Sequence, residues 1–419
     1  MTARNVKRRE FIAAIGAGPV LLTGCRPWLD EGISNPCLAA ALPDDLSQHE
    51  LILAALADLD GSELWDCHVH LLGTGDSGSG IWVNPNLRSL AHPLQYARFR
   101  FYLDAACLDP NAGVDQGYLE RLLALQDGLP QGGRIMLLAF DYNYDEAGQR
   151  DLVHTFFYIP DTYAAYVARK HPRRFEWIAS IHPYRSDCIP ALENAVTSGA
   201  RAVKWLPNTM GINPGSPLCD RFYEAMVRMD IPLLVHSGDE HAVPTGEAQS
   251  LGNPLLLRRT LDHGVRVIVA HCASKGVATD IDKGKTGPTA SNFSLFARMM
   301  DEVDSEDLLF GDISGLAQVN RIGEPLTTVI TRGDWHHRLL NGSDYPLPGV
   351  MPLYSMNQLV SLKLLTRDEA NVLSAIRRHN PLLFDLVLKR SLRVNNQGFS
   401  PAVFHTRHIF ERQANRPVA

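Results

Sequence analysis

Six residues of metal-ligand type stand at or near the ends of short apolar segments in this chain. They are His68, His70, Lys204, His236, His271 and Asp344. Imidazole nitrogens and carboxylate oxygens of this kind bind zinc, and three protein ligands with one position left for water indicate a catalytic site rather than a structural one. A metal ion in such a site lowers the pKa of its bound water to about 7, which makes hydroxide available at neutral pH. The residue types therefore predict one or two divalent ions, with zinc as the first choice, and hydrolytic chemistry.

The spacing of these residues predicts how the fold brings them together. Lys204 and His236 are 32 residues apart, and His236 and His271 are 35 apart, which suits one strand and one helix per step. The 73 residues from His271 to Asp344 leave room for two such steps, and the 134 from His70 to Lys204 leave room for three. All strands of a parallel eight-unit barrel end at one mouth, so the side chains would converge there. We predict an α/β fold, a distorted (β/α)8 barrel.

His68 and His70 form a His-x-His pair, which is too short a motif to indicate a function without its structural context. Residues two apart on a strand face the same side, so both histidines point inward if either does. Further strands are predicted at about 134–143, 175–183 and 307–315.

The complete set resembles the amidohydrolase superfamily of metal-dependent barrel enzymes, over about residues 60–390. Two segments are similar to its amidohydrolase-related branch: SIHPYRSDCIPALENAVTSGARAVKWLPN and NGSDYPLP. The resemblance implies that the His pair, His236 and Asp344 hold metal. It implies either a carboxylated Lys204 that bridges two ions, or an ordinary Lys204 beside a single ion with His271 acting in catalysis.

The roles within this set follow from its chemistry. Asp344 is predicted to be a metal ligand and the general base, with His271 as its catalytic partner. Arg185 could clamp a substrate carboxylate, because its planar fork matches two oxygens, or it could equally form a structural salt bridge. Glu240 and His182 complete the predicted substrate-binding residues, and Glu240 could instead orient a histidine, as could Asp312.

The barrel is predicted to span residues 63–393, between an N-terminal extension and an irregular tail at 394–419. Residues 1–24 have the basic start and apolar stretch of an export signal. Within it, Arg8-Arg9 resembles a twin-arginine motif, and Leu22-Thr23-Gly24-Cys25 resembles a lipobox with lipidation at Cys25. We therefore expect a periplasmic or cell-surface lipoprotein.

Residues 25–62 are predicted to form a tether and an amphipathic helix at 45–60. The long insert at 71–133 is predicted to cover or wall the substrate site, because long loops at a barrel mouth usually carry function. Seven cysteines are present, and the six other than Cys25 could pair in an oxidising compartment, although the sequence does not give the connectivity.

The composition is that of an ordinary globular protein, with 45% hydrophobic residues, 21% charged residues and a net charge of −6. No basic face is indicated, so we expect no nucleic-acid partner. The expected partners are a small-molecule substrate, a membrane reached only through the lipid anchor, and a second copy of the chain in a homo-oligomer.

Three functions are consistent with these observations. The first is a metal-dependent hydrolase that uses metal-activated water to cleave an amide, a lactone or another ester. The second is a non-oxidative decarboxylase of a small carboxylated substrate, in which Arg185 would bind the carboxylate and His271 would donate the proton. The third is a non-catalytic binding lipoprotein, which the complete ligand set disfavours.

Overall fold

The computed structural model of the chain describes residues 30–240, 248–302 and 307–412. The predicted export signal and Cys25 lie outside the described residues. None of the described helices is both long and apolar enough to cross a bilayer.

Eight strands of the described part pair in parallel and follow one another along the chain. They are β1 (Trp65–His70), β2 (Arg134–Leu138), β3 (Phe175–Ile178), β4 (Val203–Trp205), β5 (Leu233–His236), β6 (Val267–Ala270), β7 (Leu309–Asp312) and β8 (Leu339–Leu340). Strands β1–β3 form a three-stranded sheet, and β4–β8 form a five-stranded sheet in sequential order. Single parallel bridges join the edges of the two sheets, from Ala179 to Val203 and from Val69 to Tyr345. The fold is therefore α/β with parallel strands.

Helices follow most of these strands and cover one face of the sheets. They are α1 (Asp44–Ser47), α2 (Glu50–Leu56), α3 (Pro93–Ala105), α4 (Val114–Gln126), α5 (Asp161–Lys170), α6 (Cys188–Thr197), α7 (Pro207–Met210), α8 (Asp220–Arg228), α9 (Arg258–Asp262), α10 (Asn292–Met300), α11 (Glu324–Thr331), α12 (Met356–Ser361), α13 (Arg367–His379), α14 (Pro381–Ser391) and α15 (Arg407–Phe410).

The strands are buried on both faces, as is usual for parallel sheets. On β2, Ile135 and Leu137 belong to the large cluster that includes the helices, whereas Met136 and Leu138 belong to a second, smaller cluster. The alternation follows from the two-residue period of a strand. The polar residues at the strand ends therefore stand above an apolar interior.

Residues 394–412, the described part of the predicted C-terminal tail, pack against the rest of the chain. Ile409 and Phe410 of α15 join the smaller apolar cluster. The backbone NH of Trp65 donates to Thr406 Oγ1 over 3.2 Å. Because Trp65 begins β1, the segment closes the end of the strands opposite to the predicted mouth. Burial of Ile409 and Phe410 in this cluster holds the segment against the rest of the chain.

The N-terminal helix predicted at 45–60 is interrupted. It consists of α1 and α2, because the His49 side chain accepts a hydrogen bond from Leu51 N over 3.2 Å and caps the second helix. A disulfide joins Cys37 to Cys107, which follows α3. Cys67, Cys188, Cys219 and Cys272 are free and buried.

The insert between β1 and β2 is organised around Asp115 at the start of α4. Its carboxylate accepts hydrogen bonds from Thr74 N (2.7 Å), Ser77 Oγ (2.8 Å) and Ser79 Oγ (2.6 Å). The Gly- and Ser-rich loop is thereby held against α4. The same insert carries α3, which contributes Tyr102 to the site described below.

Candidate metal centre

His68 stands near the end of β1 with both ring nitrogens directed at charged groups. Its Nδ1 lies 2.7 Å from Asp312 Oδ2 at the end of β7. Its Nε2 lies 3.3 Å from Lys204 Nζ and 3.5 Å from Asp344 Oδ1. Because Asp312 accepts the proton of Nδ1, the lone pair is on Nε2, which now contacts Lys204 Nζ and is the atom that could bind a metal.

Asp344 follows β8 and contacts both histidines of β1. Its Oδ1 lies 3.0 Å from His70 Nε2, and its backbone NH donates to His68 O over 2.7 Å. The residue has a φ of +58°, in the left-handed region that non-glycine residues seldom adopt. Strain of this kind concentrates at functional sites, where the surrounding structure holds it in place.

His271 comes directly after β6 and also has a positive φ, of +56°. Its Nδ1 lies 2.9 Å from Ser314 O, which leaves the lone pair on Nε2, 3.7 Å from Asp344 Oδ2. His236, the last residue of β5, lies beside it with ring centroids 5.4 Å apart. His236 Nε2 is 3.4 Å from Glu240 Oε2, but the geometry is not that of a hydrogen bond.

The buried histidines are held in the neutral form. Burial lowers the pKa of His68, and the charge of Lys204 lowers it further. Burial also lowers the pKa of His271, with the help of Arg321, and lowers the pKa of His236 to about 3. Neutral imidazole is the form that binds a metal ion.

The carboxylate of Asp344 is held in the charged form. Burial by itself would raise its pKa, but His68 and His70 outweigh that effect and the pKa of Asp344 is lowered. Burial lowers the pKa of Lys204 to about 8, against the opposing charge of Asp344. At neutral pH, Asp344 can therefore act as a ligand or accept a proton.

These residues fit a divalent metal ion. The ligand atoms of His68, His70 and Asp344 all lie within 4.8 Å of one another, and so do those of a second group, His68, His271 and Asp312. His236 Nε2 is buried and has no hydrogen-bond partner in the described part of the chain. A set of imidazole nitrogens and carboxylate oxygens suits zinc and neighbouring first-row metals. His68, His70 and Asp344, with His236 beside them, would hold the ion.

Arg185 and His182 lie in a different group of residues, above β2 and β3. Arg185 Nη1 donates to Asp141 Oδ2 over 2.9 Å, and its other donors bind both oxygens of Asp187. His182 is fully buried, with Nε2 2.9 Å from Met210 O and Nδ1 accepting from the backbone. The structure does not bring either side chain into the cluster around Asp344, and the substrate-binding role of both stays a prediction.

Three residues of the site were not singled out from the sequence. Ser314 Oγ lies 2.9 Å from His271 Nδ1 and donates to Asp312 Oδ2 over 2.5 Å, so it links two strand ends. Burial raises the pKa of the Tyr102 hydroxyl, and Glu240 and Asp344 raise it further, which places this residue of the insert at the site. Arg321 is the third residue, and its charge lowers the pKa of His271 and of His236. For Ser314, the Asp-x-Ser sequence that begins with the last residue of β7 is the feature of the sequence that could have pointed to it.

A family profile described as amidohydrolase matches residues 65–384. The chain belongs to the amidohydrolase family. This confirms the resemblance inferred from the ligand set, and the family is metal-dependent. No protein of curated function matches the sequence.

Several solved structures are similar to this amidohydrolase in fold. A protein provisionally assigned as a 2-pyrone-4,6-dicarboxylic acid hydrolase from Pseudomonas putida is 14% identical, with a TM-score of 0.41, over 69% of this chain and 84% of that one. The 5-carboxyvanillate decarboxylase from Sphingomonas paucimobilis is 11% identical, with a TM-score of 0.43, over 75% and 95%. An uncharacterised TIM-barrel protein from Bordetella bronchiseptica is 15% identical, with a TM-score of 0.44, over 74% and 93%.

Proposed function

We propose that this chain is a metal-dependent hydrolase that cleaves an amide, a lactone or another ester of a small molecule. The observation that carries the proposal is the convergence of His68 and His70 on Asp344, with the Nδ1 of His68 bonded to Asp312. When bound, a divalent cation, with zinc as the first choice, supplies Lewis acidity that acidifies water and polarises a carbonyl oxygen. One ion suffices for this chemistry, and Lys204 would bridge a second if carboxylated.

The proposed acid–base work belongs to Asp344 and His271. Asp344 is charged at neutral pH, because its histidine neighbours lower its pKa. It accepts the proton of the attacking water and then donates that proton to the leaving group. His271 Nε2, which carries the lone pair, lies 3.7 Å from Asp344 Oδ2, so this imidazole can accept the proton from Asp344 and pass it on.

We propose that the two sheets belong to one distorted (β/α)8 barrel. The bridges at both sheet edges support this arrangement. The backbone hydrogen bonds from Cys67 N to Asn341 O (3.1 Å) and from His70 N to Tyr345 O (2.9 Å) extend the contact between the first and eighth strand segments.

The first experiment measures metal content after expression in defined metal-supplemented medium and purification without chelator. We expect at least one ion per wild-type chain and strong depletion in His68→Ala and His70→Ala. His337→Ala is the matched control, because His337 is exposed. Equal metal content in wild type, both variants and the control would contradict the proposed centre.

The second experiment separates hydrolysis from decarboxylation. The metal-loaded protein is incubated with lactones, aryl esters, anilides and hydroxylated benzoates, and both hydrolysis products and released carbon dioxide are measured. Hydrolysis that disappears in Asp344→Asn supports the proposal. Carbon dioxide as the sole product would assign the non-oxidative decarboxylase instead. Metal binding without either reaction would favour a binding lipoprotein.

We also propose that the protein is exported and anchored through Cys25. The support is the twin-arginine and lipobox resemblance at 8–25, together with the Cys37–Cys107 disulfide, since disulfides persist in oxidising compartments. Membrane fractionation should find wild type in the membrane fraction and Cys25→Ala in the soluble fraction. The same distribution for both proteins would contradict the anchor.

A further inference from the structure

Three hydrogen-bond donors beside the candidate metal centre have no acceptor among the residues that the structure describes. They belong to Gln318 and Arg321, which follow β7, and to Tyr354, which precedes α12. Gln318 Nε2, Arg321 Nε and Tyr354 Oη are buried and have no hydrogen-bond partner among the described residues. An unsatisfied buried donor costs about 1–3 kcal/mol. Three of them in one place indicate that an acceptor from outside the chain belongs there.

These donors lie against the turn that carries His271. Arg321 Nη1 donates to Ser274 Oγ over 3.0 Å, and Ser274 N donates to His271 O over 3.0 Å. A Cβ atom placed on Gly315 would lie 3.0 Å from Gln318 Nε2 and 3.5 Å from His271 Nδ1. The Gln318 amide and the His271 imidazole therefore border the same space beside Gly315.

Tyr354 is the third member of this group. Its hydroxyl is fully buried. Burial raises the pKa of Tyr354, and the negative charges of Asp385 and Asp344 raise it further. The neighbouring Gln318 amide lowers it. The Gln318 and Tyr354 side chains are thus neighbours, although neither atom reaches hydrogen-bond geometry with the other.

Arg321 brings a positive charge to this group that no carboxylate of the described residues pairs with. Burial lowers its pKa, while Glu240 and Asp344 act to raise it. An arginine stays protonated under all ordinary conditions. Arg185, by contrast, is held between Asp141 and Asp187. Arg321 is partly exposed, but its Nε atom is buried. A desolvated part of a charged group without a partner costs more than a neutral donor does, so the missing acceptor is expected to be an anion.

We propose that Gln318, Arg321 and Tyr354 form the subsite for a carboxylate group of the substrate. The guanidinium fork matches the two oxygens of a carboxylate, and the amide and the hydroxyl supply further donors. A neutral carbonyl group would leave the charge of Arg321 uncompensated. The inference rests on the proposed function, and it specifies that the substrate carries an anionic group on the β7 side of Asp344.

The test measures binding of 4-fluorobenzoate and of its neutral analogue 4-fluorobenzamide by fluorine NMR titration. Succinate is a second anionic probe, measured by displacement of the fluorobenzoate. Full-length protein is used in its metal-loaded and metal-depleted forms, because a bound cation also attracts carboxylates. We expect wild type to prefer the benzoate by at least about tenfold in both forms, as hydrogen bonds to charged groups predict.

The variants determine which arginine is responsible. Arg321→Met should remove the preference in the metal-depleted protein. Arg321→Lys keeps the charge but loses the fork, and should retain part of the preference. Arg258→Met is the matched control, since that guanidinium is paired with Asp282 and Glu302. Thermal unfolding identifies any variant that has lost its fold. If Arg321→Met does not fold, the partial loss of preference in Arg321→Lys tests the subsite instead.

Two results would overturn the inference. One is a wild type that binds neither anion in preference to the amide. The other is a folded Arg321→Met with the wild-type preference, and transfer of the loss to Arg185→Met would assign the anion to Arg185 instead. Metal content and hydrolysis are measured separately. A wild type that hydrolyses substrate but does not prefer the anions refutes this subsite alone. A wild type that has the preference but no turnover refutes the proposed hydrolase alone.

Discussion

The strand ends of this protein form two groups of similar polar residues that differ in whether they satisfy one another. Above β2 and β3, Asp141 accepts from Arg185 Nη1 and from His182 N, each over 2.9 Å. Around β5–β8, by contrast, His236 Nε2 and Arg321 Nε are buried without a hydrogen-bond partner in the described residues. We call Asp141, His182 and Arg185 the closed group. We call the strand-end residues around β5–β8, with His236 and Arg321 among them, the open group.

The comparison shows that a polar residue at a strand end is not evidence of function until its partners are known. Buried polar groups are normally hydrogen-bonded, and a network that is complete stabilises the fold. A network with unused donors and lone pairs can accept a ligand. Four predictions test this difference.

The largest expected effect is on the open group. Asp344→Asn should lower kcat by about 10²–10⁴ or more, because the amide cannot accept the proton. The fold should persist, since the backbone bond from residue 344 to His68 O does not depend on the side chain. Activity assays and thermal unfolding check this, with Asp334→Asn, at an exposed site, as the control. Wild-type turnover in Asp344→Asn would remove the residue from its catalytic role.

The next effect concerns the carboxylate that orients His68. Asp312→Asn should weaken metal affinity by about 10–100-fold, because the amide no longer fixes the proton on Nδ1. Competition with a chelator measures the affinity. Asp141→Asn, the equivalent change in the closed group, should leave metal affinity unchanged. Equal losses in both variants would mean that the two groups do not differ as we describe.

A smaller effect is expected when the closed group is broken. Arg185→Met should destabilise the fold by about 1–3 kcal/mol, because it leaves the buried Asp141 carboxylate with fewer partners. Burial already raises the pKa of Asp141, and Arg185 opposes that rise. Without Arg185 the pKa of Asp141 rises further, so the loss should be present at pH 7 and vanish below about pH 4. Urea unfolding at pH 7 and pH 4 measures it, and a loss that does not depend on pH would contradict this account.

The last effect is a stabilisation and concerns Asp161, beside the closed group, which accepts from Ser180 N over 2.8 Å. Burial raises the pKa of Asp161 to about 7. The folded protein therefore binds this proton more tightly than the unfolded chain, and the associated stability is lost as pH rises from about 4 to 7. Asp161→Asn should be more stable than wild type at pH 8 by a few kcal/mol, at about 1.4 kcal/mol per pKa unit, and equal to it near pH 4. A variant that is less stable at pH 8 would show that the charged form is required.

Much of the fold and of the candidate metal centre could be predicted because both depend on local patterns. An apolar strand with a polar residue at its end is visible in the sequence, and the intervals of 32 and 35 residues correspond to one repeating unit. Parallel connection then brings the ends of successive strands together. The bounds were less exact: β2 ends at Leu138 and β3 at Ile178, where the chain turns into the loops of the mouth.

The described part of the tail, residues 394–412, shows the opposite case. Its sequence has no strong periodicity, and its order comes from contacts with distant residues. Arg266 Nη1 donates to Ile409 O over 2.6 Å, across 143 residues, and Thr406 bonds to the first residue of β1. Such contacts are invisible in a local pattern.

The sequence by itself determined the family, the parallel strand order and the set of ligand types at the strand ends. These properties follow from residue type and spacing along the chain. Only the tertiary structure decided which strand-end residues were already satisfied by neighbours. It pairs Arg185 with Asp141, places Asp312 on His68 across 244 residues, and leaves Arg321 without a carboxylate in the described part. The physical reason is that a hydrogen bond or ion pair depends on atoms within about 3–4 Å, and which atoms those are is set by long-range packing.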